Sequence, residues 1–247
     1  MTPNPPIVAA PRAEAELRER GFAVLCPSAT SELLQLPLPD LDALAPSWNG
    51  LPLDIHLRDG GRYRRRRHAS YIVDANAVQP VPHRAHWQPL EYNALHGGFE
   101  RWFEPVAGET AAMTAWPIVL RSLARLCSAL RGSRRWHVEA HQFRIDTTGG
   151  IGRPTPEGAH RDGVDFVAVF LVSRRGVKGG ETRVFDAAGP QGVRFTLTEP
   201  WSLLLLDDER VIHESTPIQP AEPASAVPAY RDTLVITLRA AGFLVAS

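Results

Sequence analysis

The feature that most constrains this chain is a change of period at Arg135. Before it, "AWPIVLRSLARLCSALRG" carries Ile118, Leu120, Leu123, Leu126, Cys127 and Leu130 at three- and four-residue spacings, which lays one apolar stripe along an α-helix of 3.6 residues per turn. Gly132 closes it, because glycine takes the left-handed backbone of a helix end without steric cost. After Arg135 the period is two. "WHVEAHQFRI", "VDFVAVFLVS", "VRFTLTE", "WSLLLLDD", "RVIHEST" and "RDTLVITLRA" alternate or run apolar over strand lengths, with Gly, Pro and Asp between them. Helices followed by many short strands predict an α+β chain whose second half is a β-sandwich or jelly roll, with no need of parallel βαβ units.

The first half is read more coarsely. A Pro-rich lead-in over residues 1–11 precedes "RAEAELRERGF", a helix ending at glycine, and then "FAVLC", a strand. Residues 28–60 are rich in Leu and Pro, so helices there are broken at prolines. "RYRRRRHASYIV" reads as a strand entered through a basic stretch. With 247 residues, 44% of them hydrophobic, the chain has material for one sizeable core. We therefore expect one domain over 1–247, with residues 1–80 as an N-terminal cover region and 81–247 as the metal-binding jelly-roll portion.

Charge excludes some partners. Lys plus Arg and Asp plus Glu number 27 each, so no net field draws the chain to nucleic acid. The arginine run is short and lacks interleaved aromatics for base stacking, and it suits a solvated face or a funnel for acidic substrates better. Cys26 and Cys127 make neither a disulfide framework nor a Cys-rich zinc site. No apolar run approaches the roughly 20 residues that span a bilayer, and no secretory leader pattern is present. The expectation is a cytoplasmic protein with a small-molecule substrate and neither nucleic-acid nor membrane partners, its oligomeric state left open.

The chemistry is concentrated in "PEGAHRDGVDF". His160 and Asp162 are two apart, so on an extended backbone they share a face. His213, in "DDERVIHEST", is the best third donor. Two histidines and a carboxylate on one face of an octahedral ion leave three positions open, as in non-haem Fe(II) oxygenases, for a chelating co-substrate and O2. In a chain with nine histidines, His-x-Asp alone is weak. "YRDTLVITLR" strengthens it: Arg231, Thr233, Val235 and Thr237 share one strand face, and an arginine fork beside a hydroxyl suits the far end of a dicarboxylate. The competing reading of Arg231 is a structural ion pair.

A rival cluster exists in "WHVEAHQ". His137, Glu139 and His141 share a face and could hold zinc with an open position, which would make the chain a zinc-dependent hydrolase. Spread over about 13 Å of strand, the three can hardly reach one ion. His141 is then expected nearer the pocket, with His137 and Glu139 as solvent-facing or core polar residues. A third reading is a non-catalytic β-sandwich that binds a small ligand.

Six segments, "EYNALHGGFERWF", "HQFRI", "PTPEGAHRDGVDFV", "GGET", "LLLLDDERVIHESTPI" and "YRDTLVITLR", resemble in order the Fe(II)- and 2-oxoglutarate-dependent dioxygenases. Within them they are similar to the bacterial branch that includes L-isoleucine dioxygenase and related free amino-acid hydroxylases. The resemblance covers roughly residues 85–240. It implies a double-stranded β-helix (jelly roll) with N-terminal and flanking helices, His160, Asp162 and His213 as iron ligands, and Arg231 on the C5 carboxylate of 2-oxoglutarate, with Thr233 sharing that task. Fe(II), 2-oxoglutarate and O2 would be used, with succinate and CO2 formed as a C–H bond of a free L-amino acid or similar small polar substrate is hydroxylated. Halogenating relatives carry a small residue where Asp162 stands, so hydroxylation is expected. The insert "QPAEPASAVPA" before Arg231 departs from the wider superfamily.

Gln142 and Arg144, on the strand face opposite His141, are candidates for the substrate or co-substrate. Tyr92 and Asn93, and Arg62 with Arg64, are candidates for the substrate mouth. Asp207 or Asp208 could orient the His213 imidazole, and Gly179 with Gly180 suggests a hairpin bend.

Overall fold

The computed structural model describes residues 5–93, 95–222 and 229–246. Among the described residues the α-helices are α1 (Ala13–Arg20), α2 (Pro27–Leu34), α3 (Leu38–Asp42), α4 (Gly108–Ala111) and α5 (Ala115–Arg131). The strands are β1 (Phe22–Leu25), β2 (Arg64–Val73), β3 (Val78–Pro80), β4 (Trp136–Asp146), β5 (Phe166–Arg175), β6 (Val177–Gly179), β7 (Thr182–Asp186), β8 (Gly192–Phe195), β9 (Leu203–Asp207), β10 (Val211–Ser215), β11 (Ile218–Pro220) and β12 (Tyr230–Arg239).

They form a seven-stranded sheet in the order β1-β9-β5-β12-β4-β2-β3, a three-stranded sheet β10-β7-β8 and the pair β11-β6. Every paired ladder is antiparallel. The antiparallel sheets with few helices agree with the expected jelly-roll core. Among the described residues no helix is long and apolar enough to cross a membrane.

The large sheet is buried on both faces, and alternation divides the labour. One face packs on the helices: Leu234, Ile236 and Leu238 of β12 meet Val138 and Ala140 of β4 and Trp116, Leu120 and Leu123 of α5. Helix α5 runs as its apolar stripe predicts. Pro117 falls in its first turn, where the missing N–H costs nothing, and Gly132 follows at φ 87°. Trp48 anchors the preceding loops by directing Nε1 at the carbonyls of Phe143 and Thr233, at 3.1 and 3.2 Å. The other face meets the three-stranded sheet through Val167, Leu171, Val184, Phe195 and Val211.

Residues 1–80 supply β1, β2 and β3 to the large sheet, the first two at the stretches read as strands. Gly179 and Gly180 form a bend but no hairpin: β6 pairs with β11 and β7 with β10, so the chain passes there between the small sheets. Residues 223–228 of the "QPAEPASAVPA" insert lie outside the described residues.

Candidate active site

A cavity of about 130 Å³ lies between the large sheet and the three-stranded one. Its floor is a set of rungs across β12, β4 and β2. Arg231, Ile145 and Arg64 share one rung; Thr233, Phe143 and Arg66 the next; then Val235, His141 and His68; then Thr237, Glu139 and Ser70. All of these except His68 and Ser70 line the cavity.

The opposite roof brings His160 beside β10. His160 and His213 exchange backbone N–H···O bonds of 3.0 Å in both directions, which sets their rings 4.6 Å apart. Nε2 of His160 stands 3.9 Å from Oδ1 of Asp162, and Nε2 of His213 stands 3.8 Å from Oδ2. One ligand atom from each residue lies within 4.8 Å of the others. These separations exceed hydrogen bonds, so three electron-pair donors face one another across a gap. Such a donor set fits a divalent cation with affinity for imidazole and carboxylate.

The surroundings orient the donors. Nδ1 of His160 donates to the carbonyl of Gly158 at 2.9 Å, since that oxygen can only accept. The lone pair is thereby left on Nε2, toward Asp162. Burial opposes a charge on His160, but the carboxylates of Asp162 and Glu157 outweigh it and raise the imidazole pKa. His213 moves the other way, held neutral by burial and then by His160. Its Nδ1 is buried and has no hydrogen-bond partner among the described residues.

Asp208 does not orient that imidazole, as the sequence suggested. It accepts the backbone N–H groups of Asp162, Gly163 and Val164 at 3.1, 2.8 and 3.2 Å and so fixes the turn that carries Asp162. Burial and then the Asp162 charge lift its pKa to about 7. Asp207 takes Arg131 instead, at 2.7 Å. Gly163 sits at φ 78°, and a Cβ there would meet the Tyr92 ring at 2.4 Å, so glycine lets Tyr92 close over the turn.

Gln88, which sequence reasoning missed, links the roof to the wall. Its Nε2 donates to Oδ1 of Asp162 at 3.1 Å, while its Oε1 accepts from Arg101 at 2.8 Å and from Asn93 at 3.2 Å. Asn93 therefore lines the cavity, and Arg62 is exposed outside it. Arg231, 4% exposed, sits in the cavity wall with Thr233 two residues on. Burial and Arg174 lower its pKa to about 10.

Gln142 and Arg144 face away. They occupy the other parity of β4, where Gln142 donates to Ser47 at 2.7 Å and Arg144 grips both oxygens of Asp232 at 2.7 Å. The rival zinc cluster is also rearranged. His137 packs edge-on against Phe243, whereas Glu139 and His141 gather with His68 and His86. Glu139 is no solvent-facing group: His68 lies 3.0 Å from it, His86 3.3 Å and Arg84 3.0 Å. Arg66 donates to Nδ1 of His141 at 2.8 Å. Two guanidinium groups, Arg66 on His141 and Arg84 on Glu139, thus set positive charge against this cluster.

The family model for 2OG-Fe dioxygenases matches residues 45–237. A BsmA homologue from Methylobium petroleophilum PM1 is 54% identical, with a TM-score of 0.92 over 100% of this chain and 99% of that one. IDO from Bacillus thuringiensis is 18% identical, with a TM-score of 0.73 over 94% of this chain and 99% of that one. The Fe(II)/α-ketoglutarate-dependent dioxygenase TqaL is 20% identical, with a TM-score of 0.71 over 93% and 86%. The last two bear on the fold alone. No curated protein matches the chain.

Proposed function

The chain belongs to the 2OG-Fe dioxygenase family, and from that premise we propose that His160, Asp162 and His213 hold the iron while Arg231 and Thr233 take the far carboxylate of 2-oxoglutarate. The substrate is a small polar molecule, and we assign it to the free L-amino acids. Family membership, with its use of Fe(II), 2-oxoglutarate and O2, replaces the zinc-hydrolase and non-catalytic readings. One observation carries the site assignment: three mutually facing donors and a buried arginine with no ionic partner among the described residues share one cavity. The substrate class is supported by the six sequence segments that resemble amino-acid hydroxylases and by the polar wall of a small cavity.

Bound Fe(II) would supply the redox chemistry by which substrate C–H, 2-oxoglutarate and O2 become C–OH, succinate and CO2. The chain's own part is placement. Arg231 presents a planar fork to a carboxylate and Thr233 a hydroxyl beside it. Gly158, through His160, and Asp208, through the Asp162 turn, hold the donors in place before any ligand arrives. Val164, Val169, Val235 and Phe143 line the space and keep water from it. Asp162 keeps a carboxylate where halide would need a vacancy, which favours hydroxylation.

The test is aerobic incubation with Fe(II), ascorbate, 2-oxoglutarate and a pool of free amino acids, read by mass spectrometry. Succinate and a product one oxygen heavier are expected in matched amounts. His160→Ala and Asp162→Ala should each abolish turnover; full activity in either pure variant removes the triad. Arg231→Leu should raise the KM for 2-oxoglutarate by about 100-fold, as for loss of a buried charge-assisted pair, and an unchanged KM reassigns the co-substrate carboxylate.

A further inference from the structure

Arg66, Arg101 and Arg231 line the cavity at 3%, 2% and 4% exposure. Each has a buried Nε with no hydrogen-bond partner, and none forms an ion pair among the described residues. Leaving a guanidinium buried without an anion is costly, so each marks a place that an arriving anion completes. The far carboxylate of the co-substrate answers Arg231. Two arginines remain. Arg64 does not join them, because its Nε already donates to Asp54 at 2.7 Å.

Both are held rigidly. Arg66 is clamped between the rings of Phe103 and Phe143, at 3.7 and 4.5 Å, with its NH2 on His141. Arg101 is fixed through its NH2 on Gln88. Arg66 stands on β2, two strands from Arg231 on β12, a backbone separation of roughly 10 Å, so one small anion does not serve both ends. The same cavity holds one carboxylate in the converse condition. Glu157 has a buried Oε2 without a partner, and its Oε1 lies 3.6 Å from Nε2 of His160. A dianionic substrate would be repelled by Glu157, whereas a zwitterion satisfies both signs.

We propose that Arg66 and Arg101 bind the α-carboxylate of the primary substrate and Glu157 its ammonium group, forming a zwitterion subsite separate from that of the co-substrate. This rests on the free amino-acid reading above and assigns its residues. Affinity then comes from the backbone part of the amino acid, leaving the side chain to select.

The experiment uses anaerobic protein loaded with Fe(II) and 2-oxoglutarate, dialysed against the twenty proteinogenic L-amino acids and, in parallel, against the same twenty as C-terminal amides. Retained compounds are read by mass spectrometry. Wild-type protein should retain at least one acid and no amide. Arg66→Leu, Arg101→Leu and Glu157→Gln should each weaken that retention by about 30-fold or more, the usual cost of removing one partner of a buried charge pair. Circular dichroism and retained 2-oxoglutarate report folding, and Arg101→Lys provides a milder variant should Arg101→Leu fail to fold. Equal retention of acid and amide overturns the inference, as does full retention by the folded arginine variants. Full retention by Glu157→Gln removes the ammonium half. Loss of 2-oxoglutarate from folded arginine variants overturns it by giving these arginines to the co-substrate. If wild type holds 2-oxoglutarate but none of the acids, the free amino-acid reading fails and this assignment with it.

Discussion

Two arginines of the large sheet show how position decides role. Arg231 and Arg144 lie on neighbouring strands, Arg231 opposite Ile145 and Arg144 opposite Asp232. One residue of offset turns Arg231 into the cavity and Arg144 toward the helices. Arg144 carries its own counter-ion in Asp232, which also accepts from Ser173 at 2.8 Å. Arg144→Leu should therefore lower unfolding free energy by about 2–4 kcal/mol, seen in urea denaturation, while the KM for 2-oxoglutarate stays at its wild-type value. A raised KM would return Arg144 to the site. Strand parity alone put Arg231 and Thr233 on one face and His141 on the face opposite Arg144. It placed His141 nearer the pocket yet kept Gln142 and Arg144 of the opposite face as candidates, because both faces of β4 are largely buried. Arg101 and Gln88 had no local signal at all, since a bridge between His86 and Arg101 brings them together.

At the scale of elements, Glu139 ties β4 to β2 and to the 84–86 segment through His68, Arg84 and His86. Burial opposes its charge, but His86 and His68 outweigh burial and hold its pKa well below the ordinary 4.5. Stability from this group is complete above that ordinary value and is lost as pH falls through the depressed one. Glu139→Gln should cost about 2–4 kcal/mol near neutral pH. The gap between variant and wild type should narrow below pH 4.5, measured by denaturant unfolding across pH; a constant gap would show that packing, and not charge, is lost. The helix α5 and the strands after Arg135 were legible because each carries a clean period. β2 was legible as a strand, but its place beside β4 was not, because partner choice across some 70 residues of chain leaves no mark in a local pattern.

Across the whole molecule, the donors and the arginines stand on different layers: His160, Asp162 and His213 on the roof, Arg231, Arg66 and Glu139 on the floor. Ligands that bridge the two should bind only the folded, closed arrangement and so stabilise it by mass action. Saturation with Mn(II) and 2-oxoglutarate at about 100 times their Kd should raise Tm by roughly 10–20 °C, and a chelator should reverse the shift. His213→Ala should lose most of it; an undiminished shift would place the metal elsewhere. The fold class was readable at this scale from the order of helices and strands, whereas the closure of the two sheets over one cavity required the pairings themselves.

The alternation along β2, β4 and β12 has a consequence for how such a protein changes over generations. Residues that hold the helices and residues that line the cavity come from the same strands but point to opposite faces. A lineage can therefore trade Phe143, Ile145 or Val235 for other side chains without reopening the packing beneath Val138, Ala140 and Ile236. Inheritance of the scaffold and invention at the wall are kept on opposite sides of a single sheet.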